Sequence, residues 1–135
     1  MKLSHSQAVT FTALVLLYGV ASLVHFAHNA EFLTDYPNLP SWLTRTQVYV
    51  VWVGITALGA LGYALLRAGR ALVGLALLAV YAALGLDGLL HYGRAPLAAH
   101  TLAMNATIWF DVTAAVSLLV AVGVLAAQRL RLGPA

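Results

Sequence analysis

The sequence predicts an all-α integral membrane protein: an antiparallel four-helix bundle with both termini cytoplasmic. Three observations predict it. Of the 135 residues, 62% are hydrophobic and 8% charged. An ordinary soluble domain carries about a quarter charged residues, so this composition leaves too few to cover a water-facing surface. The apolar residues fall into four runs, each near the roughly 20 residues that a helix needs to cross a bilayer. The basic residues are sorted by side: Lys2, Arg67, Arg70, Arg129 and Arg131 lie on one, and only Arg45 and Arg94 on the other. The richer side is expected in the cytoplasm.

The whole chain, 1–135, reads as one four-helix transmembrane domain, with helices at about 8–29, 46–66, 71–92 and 96–127. The first run follows a short polar start but is too long for a signal-peptide core. The stretch His28-Asn29-Ala30 offers no small-x-small cleavage site, so it is expected to be a retained helix. Residues 30–45 form the longest connection, with Pro37, Asn38, Pro40 and Ser41 as turn formers. The second helix carries a ladder of small residues, Thr56, Ala60 and Ala64, and the third a shorter one, Ala79 and Ala83. Such ladders allow close helix contact within the bundle or between copies. Connections 67–70 and 93–96 are short, which makes successive helices antiparallel neighbours. No helix shows an obvious break at mid-depth. Tyr36, Trp42, Tyr49 and Tyr92 fall at the outward interface, where amphipathic rings form a belt.

Composition also excludes functions. There are no cysteines, hence no disulfides and no thiolate metal site. The net charge of +3 comes from residues at helix ends and does not call for nucleic acid. Phosphate-loop and nucleophile-elbow motifs are missing. The expected partners are the lipid bilayer, a lipophilic substrate, and further copies or a larger membrane complex. The expected location is the inner membrane, with the first and third connections facing the periplasm.

In so apolar a chain the informative residues are the polar ones inside helices. Of five histidines, His5 is isolated on the cytoplasmic side. The other four, His25, His28, His91 and His100, map to the outward end together with Glu31 and Asp87. His25 and His28 are three apart, and His25 and Asn29 four apart, so they share a helix face. Asp87 and His91 are also four apart. His100 opens the fourth helix at similar depth. Three helices can therefore aim imidazoles and a carboxylate at one volume. Imidazole suits zinc, copper and iron, and a catalytic site needs about three protein ligands and one open position. The expected ligands are His25, His28, Asp87, His91 and His100, with spacing unable to choose between His25 and His28. Met104, Asn29 and Glu31 are close enough in sequence to serve a second ion, and a thioether favours Cu(I). Asp87 and Glu31 are the candidates for a catalytic base.

Asp111 lies eleven residues after His100, three helical turns along the same face and about 16 Å deeper. A charged carboxylate there is costly. It calls for a partner at similar depth such as Thr56, or for a proton or ion path.

The set Asp87-x-x-x-His91 followed by His100 resembles one metal-binding motif of the C subunit of particulate methane and ammonia monooxygenases, in which such residues hold copper inside a membrane bundle. The resemblance covers those three residues, with a shorter gap to the last histidine, and implies copper as the metal. The predicted function is a membrane protein with a copper, zinc or iron site at the periplasmic end, either a metal-dependent enzyme acting on a lipophilic substrate or a metal-handling protein. Two alternatives stand beside it. One is a b-type cytochrome with haem between facing histidines. The other is a structural or assembly subunit of a membrane complex.

Overall fold

The computed structural model describes residues 5–131, so Lys2, one of the orienting charges, lies outside the described residues. Those residues form helices joined by turns and short irregular connections, without a strand. Four helical stretches are long and apolar enough to cross a membrane: His5–Glu31, Arg45–Arg67, Ala71–Arg94 and Leu102–Arg131. In order, α1 is His5–Glu31, α2 Arg45–Arg67, α3 Ala71–Leu84, α4 the short Leu90–Arg94 and α5 Leu102–Arg131. Helix α1 packs on α5 and α2, α2 on α3, and α3 on α5.

Local chemistry sets the ends. Helix α2 opens with a capping box: Thr44 Oγ1 accepts the Gln47 N–H at 3.3 Å, and Gln47 Oε1 accepts the Thr44 N–H at 2.8 Å. It closes with a Schellman motif, in which Arg70 N–H reaches Leu65 O and Gly69 N–H reaches Leu66 O. Gly69 has φ +85°, which costs glycine nothing. That is why four residues suffice to reverse the chain there.

The third span departs from the expected continuous helix. It narrows to a 3-10 turn at Gly85–Leu89 before resuming as α4. Glycines 85 and 88 weaken the helix here. A Cβ on Gly85 would lie 2.5 Å from Tyr18 Oη and 2.6 Å from Ala115 Cβ, so α1 and α5 press directly on this backbone. A 3-10 segment inside a helix often marks a hinge or strain, and this one carries Asp87.

The fourth span also differs. Pro96 and His100 are extended, with a 3-10 turn Leu97–Ala99 between them. Helix α5 starts only at Leu102, where Thr101 Oγ1 accepts the Met104 N–H at 3.2 Å in N-cap fashion. His100 therefore sits in the connection ahead of the helix. The expected three-turn alignment of His100 with Asp111 does not exist.

The central core gathers Tyr18, Ala21, Leu78, Tyr81, Ala82, Ala115 and Leu118. The Tyr18 hydroxyl donates to Tyr81 O at 3.1 Å. Helices α2 and α3 come close at Gly62 and Gly74, where a Cβ on Gly74 would lie 2.5 Å from Leu66 N. Ala60, Ala64 and Ala83 of the small-residue ladders are exposed instead. Without water to expel, such close packing is the main source of helix association in lipid.

Candidate functional site

His91 is the hub of a ring cluster at one end of the helices. It is carried by α4 and is 8% exposed. Its ring centre lies 5.6 Å from that of His25 and 6.1 Å from that of His100, both edge-on. Tyr36 from the first connection covers it at 4.9 Å. Three elements thus bring His25, His91 and His100 together, as the sequence predicts, and all three are buried.

Each imidazole is oriented by a second group. Asn29, one turn beyond His25 on α1, places its amide nitrogen 3.0 Å from His91 Nε2 and 3.5 Å from His25 Nε2. His100 Nδ1–H donates to Pro96 O at 3.1 Å, which leaves the lone pair on Nε2. Among the described residues, His25 Nδ1, His91 Nδ1, His100 Nε2 and Asp87 Oδ1 are enclosed and have no hydrogen-bond partner. Buried polar atoms are nearly always paired, so a concentration of exceptions points to a water, an ion or a ligand.

The connection carrying His100 is itself held. Asn105 Nδ2 donates to His100 O at 3.2 Å and Leu97 O at 3.3 Å, while Asn105 Oδ1 accepts from the Tyr92 hydroxyl at 2.8 Å. Asn38 Nδ2 donates to Arg94 O at 2.8 Å and pins the first connection to the end of α4. Asn105, Asn38 and the role of Tyr36 were not foreseen from sequence. Asn105 carried a signal: an amide in the first turn of an apolar helix needs partners.

The remaining predicted residues are elsewhere. The His28 Nδ1 pairs with the Tyr36 hydroxyl at 2.9 Å, and its ring lies on Phe32 and Tyr36. Burial pushes the Tyr36 hydroxyl up to about 12, so it is protonated at neutral pH. Tyr36 is 3% exposed and packs with Met104, Ile108 and Val112; it is no interfacial belt residue, whereas Trp42 is exposed. Met104 Sδ accepts the Thr101 N–H at 3.4 Å. Glu31 is bound to Arg45 Nη2 at 2.7 Å and to the Tyr49 hydroxyl at 2.7 Å, at the exposed junction of α1 and α2.

Asp87 is half-buried, and no hydrogen bond joins it to His91 among the described residues. Four residues turn about 400° in an α-helix and about 480° in a 3-10 helix, so the mixed backbone changes the expected angle between the two side chains. Asp87 still lines, with His91, a cavity of about 200 Å³ that His25, Asn29 and Arg94 also border. Asp111 is fully buried on α5, and neither of its oxygens has a partner among the described residues. Thr56 Oγ1 is likewise without one, so the expected Asp111–Thr56 pair is not made.

Among the described residues no group of three or more His, Asp or Glu side chains is arranged to hold a metal ion as it stands. No protein-family model, no curated protein and no solved structure matches the chain.

Proposed function

We propose that the protein is a multi-pass inner-membrane protein, an antiparallel bundle with both termini cytoplasmic, that binds one transition-metal ion at its periplasmic end. His25, His91 and His100 are the ligands, and Asp87 is the carboxylate beside them. Copper, zinc and iron all suit three imidazoles.

The observation that carries this reading is His100. A metal-binding histidine characteristically gives its other ring N–H to a carbonyl or carboxylate, which fixes tautomer and direction. His100 gives Nδ1–H to Pro96 O and keeps Nε2 without a partner, next to His91. Distances support it. Two imidazoles on one tetrahedral ion, with bonds of about 2.0 Å, have ring centres roughly 5 Å apart. The spacings of 5.6 and 6.1 Å are within about 1 Å of that value, so the rings close on the ion as it binds. With the Asn29 amide turned over, its oxygen accepts His91 Nε2–H and presents His91 Nδ1 as a ligand. His28 is engaged with Tyr36, which favours His25 as the first-helix donor.

An ion held by three residues keeps an open position, where it activates water or binds an oxygen of a substrate. Asp87 lines the same cavity as His25 and His91, which supports it as the group that takes a proton there in the fuller reading, a metal-dependent enzyme acting on a lipophilic substrate. A haem needs a flat macrocycle between two imidazoles, and the His91 ring is already hemmed by Tyr36, Asn29 and His25.

The test is elemental analysis of protein purified in detergent after exposure to copper, zinc and iron separately. Wild type is expected to retain about one ion per chain and His91→Ala background only, with no Soret band in either. Equal, substoichiometric metal in both proteins overturns the reading and leaves a structural or assembly role.

A further inference from the structure

We infer that the cavity beside the histidines is a binding site for a small lipophilic alcohol or phenol, which enters sideways from the bilayer between Val51 and Leu90. This deepens the proposed function and rests on it for the chemistry, although the cavity itself stands on its own geometry.

The lining is divided. One part is apolar: Phe26, Leu39, Leu43, Val48, Val51 and Leu90. The other is polar: His25, Asn29, Asp87, His91 and, at the rim, the exposed Arg94. Val51 and Leu90 line the cavity and yet are 51% and 64% exposed. They belong to two apolar spans, so the opening between them faces acyl chains. A ligand taken from that side must be lipid-soluble.

Size narrows the class. A cavity of about 150 Å³ holds benzene, and drug-sized ligands need about 300 Å³ or more. At about 200 Å³ this one takes a single ring or a short chain with one polar group. The polar group follows from the floor. Asp87 lines the cavity and has an oxygen, Oδ1, without a hydrogen-bond partner among the described residues, and its carboxylate is the acceptor there. Asn29 beside it offers an amide N–H. A hydroxyl alone among simple uncharged oxygen groups donates to the one and accepts from the other. An ether or a hydrocarbon leaves Asp87 as it is.

The probe pair is 4-fluorophenol and 4-fluoroanisole, which share a ring and differ in the O–H. Both are titrated by fluorine NMR into wild type in lipid nanodiscs, with protein-free discs as the partition control. One saturable 4-fluorophenol site per chain is expected, with 4-fluoroanisole at least about tenfold weaker, as for other ligands that lack a required hydroxyl. Val51→Trp and Leu90→Trp each fill the mouth from a lipid-facing position. Both are expected to lower 4-fluorophenol affinity at least about tenfold while metal content stays that of wild type. Asp87→Ala is expected to erase the preference for the phenol. Equal binding of the two probes, binding no different from empty discs, or binding that survives both tryptophans overturns the inference. The two readings separate cleanly. Saturable phenol binding in a protein that holds no metal removes the metal centre alone. Stoichiometric metal without saturable phenol binding removes this site alone.

Discussion

Replacing Gly85 by alanine tests whether the 3-10 turn is what holds the third span against its neighbours. The new methyl would stand 2.5 Å from Tyr18 Oη and 2.6 Å from Ala115 Cβ, far inside contact distance. Forcing one carbon into a packed core typically costs about 1–3 kcal/mol. Tyr18 can move only by giving up its hydrogen bond to Tyr81 O at 3.1 Å, a further loss of about 0.5–1.5 kcal/mol. Alanine's helix propensity returns up to about 1 kcal/mol. The net expectation is a destabilisation of roughly 0.5–4.5 kcal/mol. Reversible unfolding in mixed micelles, followed by far-ultraviolet circular dichroism, reads it directly. Gly93→Ala is the matched control, because a Cβ there meets nothing within 4 Å, and it is expected to be neutral. Adding Ala115→Gly to Gly85→Ala should recover part of the loss. A Gly85→Ala protein within about 0.5 kcal/mol of wild type, the range of uninvolved surface changes, refutes the packing argument.

Other perturbations follow the same logic. Asn29→Ala removes the group that orients His91, and metal affinity measured by competition with a chelator should fall about 10–100-fold. Glu31→Ala breaks an exposed ion pair and should cost less than about 1 kcal/mol in unfolding while metal content stays whole; loss of metal would bring Glu31 back into the site. Thr101→Ala deletes the N-cap of α5, with an expected cost of about 1 kcal/mol in the same unfolding assay. For Tyr36, burial raises the hydroxyl from 10.0 to about 12. The unfolded chain therefore releases this proton first, and the stability contributed is complete below pH 10 and lost towards pH 12. The thermal midpoint of wild type should decline across that window, and Tyr36→Phe should decline less. An identical alkaline profile for the two proteins would count against a buried Tyr36.

The four spans were legible because hydropathy and length are properties of the sequence itself, and their starts and ends agree within a few residues on α1 and α2. What escaped was where the backbone leaves the α-helix. Gly85 and Gly88 were visible in the sequence, but only the closeness of Tyr18 and Ala115 turns a tolerated glycine into a 3-10 segment. The fourth helix starts at Leu102, later than the expected 96, because Pro96 and His100 are extended and only a 3-10 turn lies between them. The stronger signal was Thr101, a cap residue followed by the good helix formers Leu102, Ala103 and Met104. Both departures fall beside the histidines: the expected alignment of His100 with Asp111 is lost, while Asp87 and His91 still line one cavity without a hydrogen bond between them. The convergence of His25, His91 and His100 survived, since it depends on which helix ends meet more than on helical phase. His28 illustrates the limit. Its spacing from His25 is right for a shared face, yet Tyr36 folds back from a proline-rich connection to engage it, a tertiary contact that periodicity does not encode.

The central claim is that three particular imidazoles form a metal centre. The most direct measurement compares His100→Ala with His28→Ala, each reconstituted in nanodiscs, loaded with one metal at a time and analysed for bound ion per chain. Both substitutions remove one imidazole from the same end of the protein, so they differ only in which ring is lost. His28→Ala is predicted to keep the metal content of wild type, and His100→Ala to fall to background. Equal metal in the two variants, whether full or absent, contradicts the account.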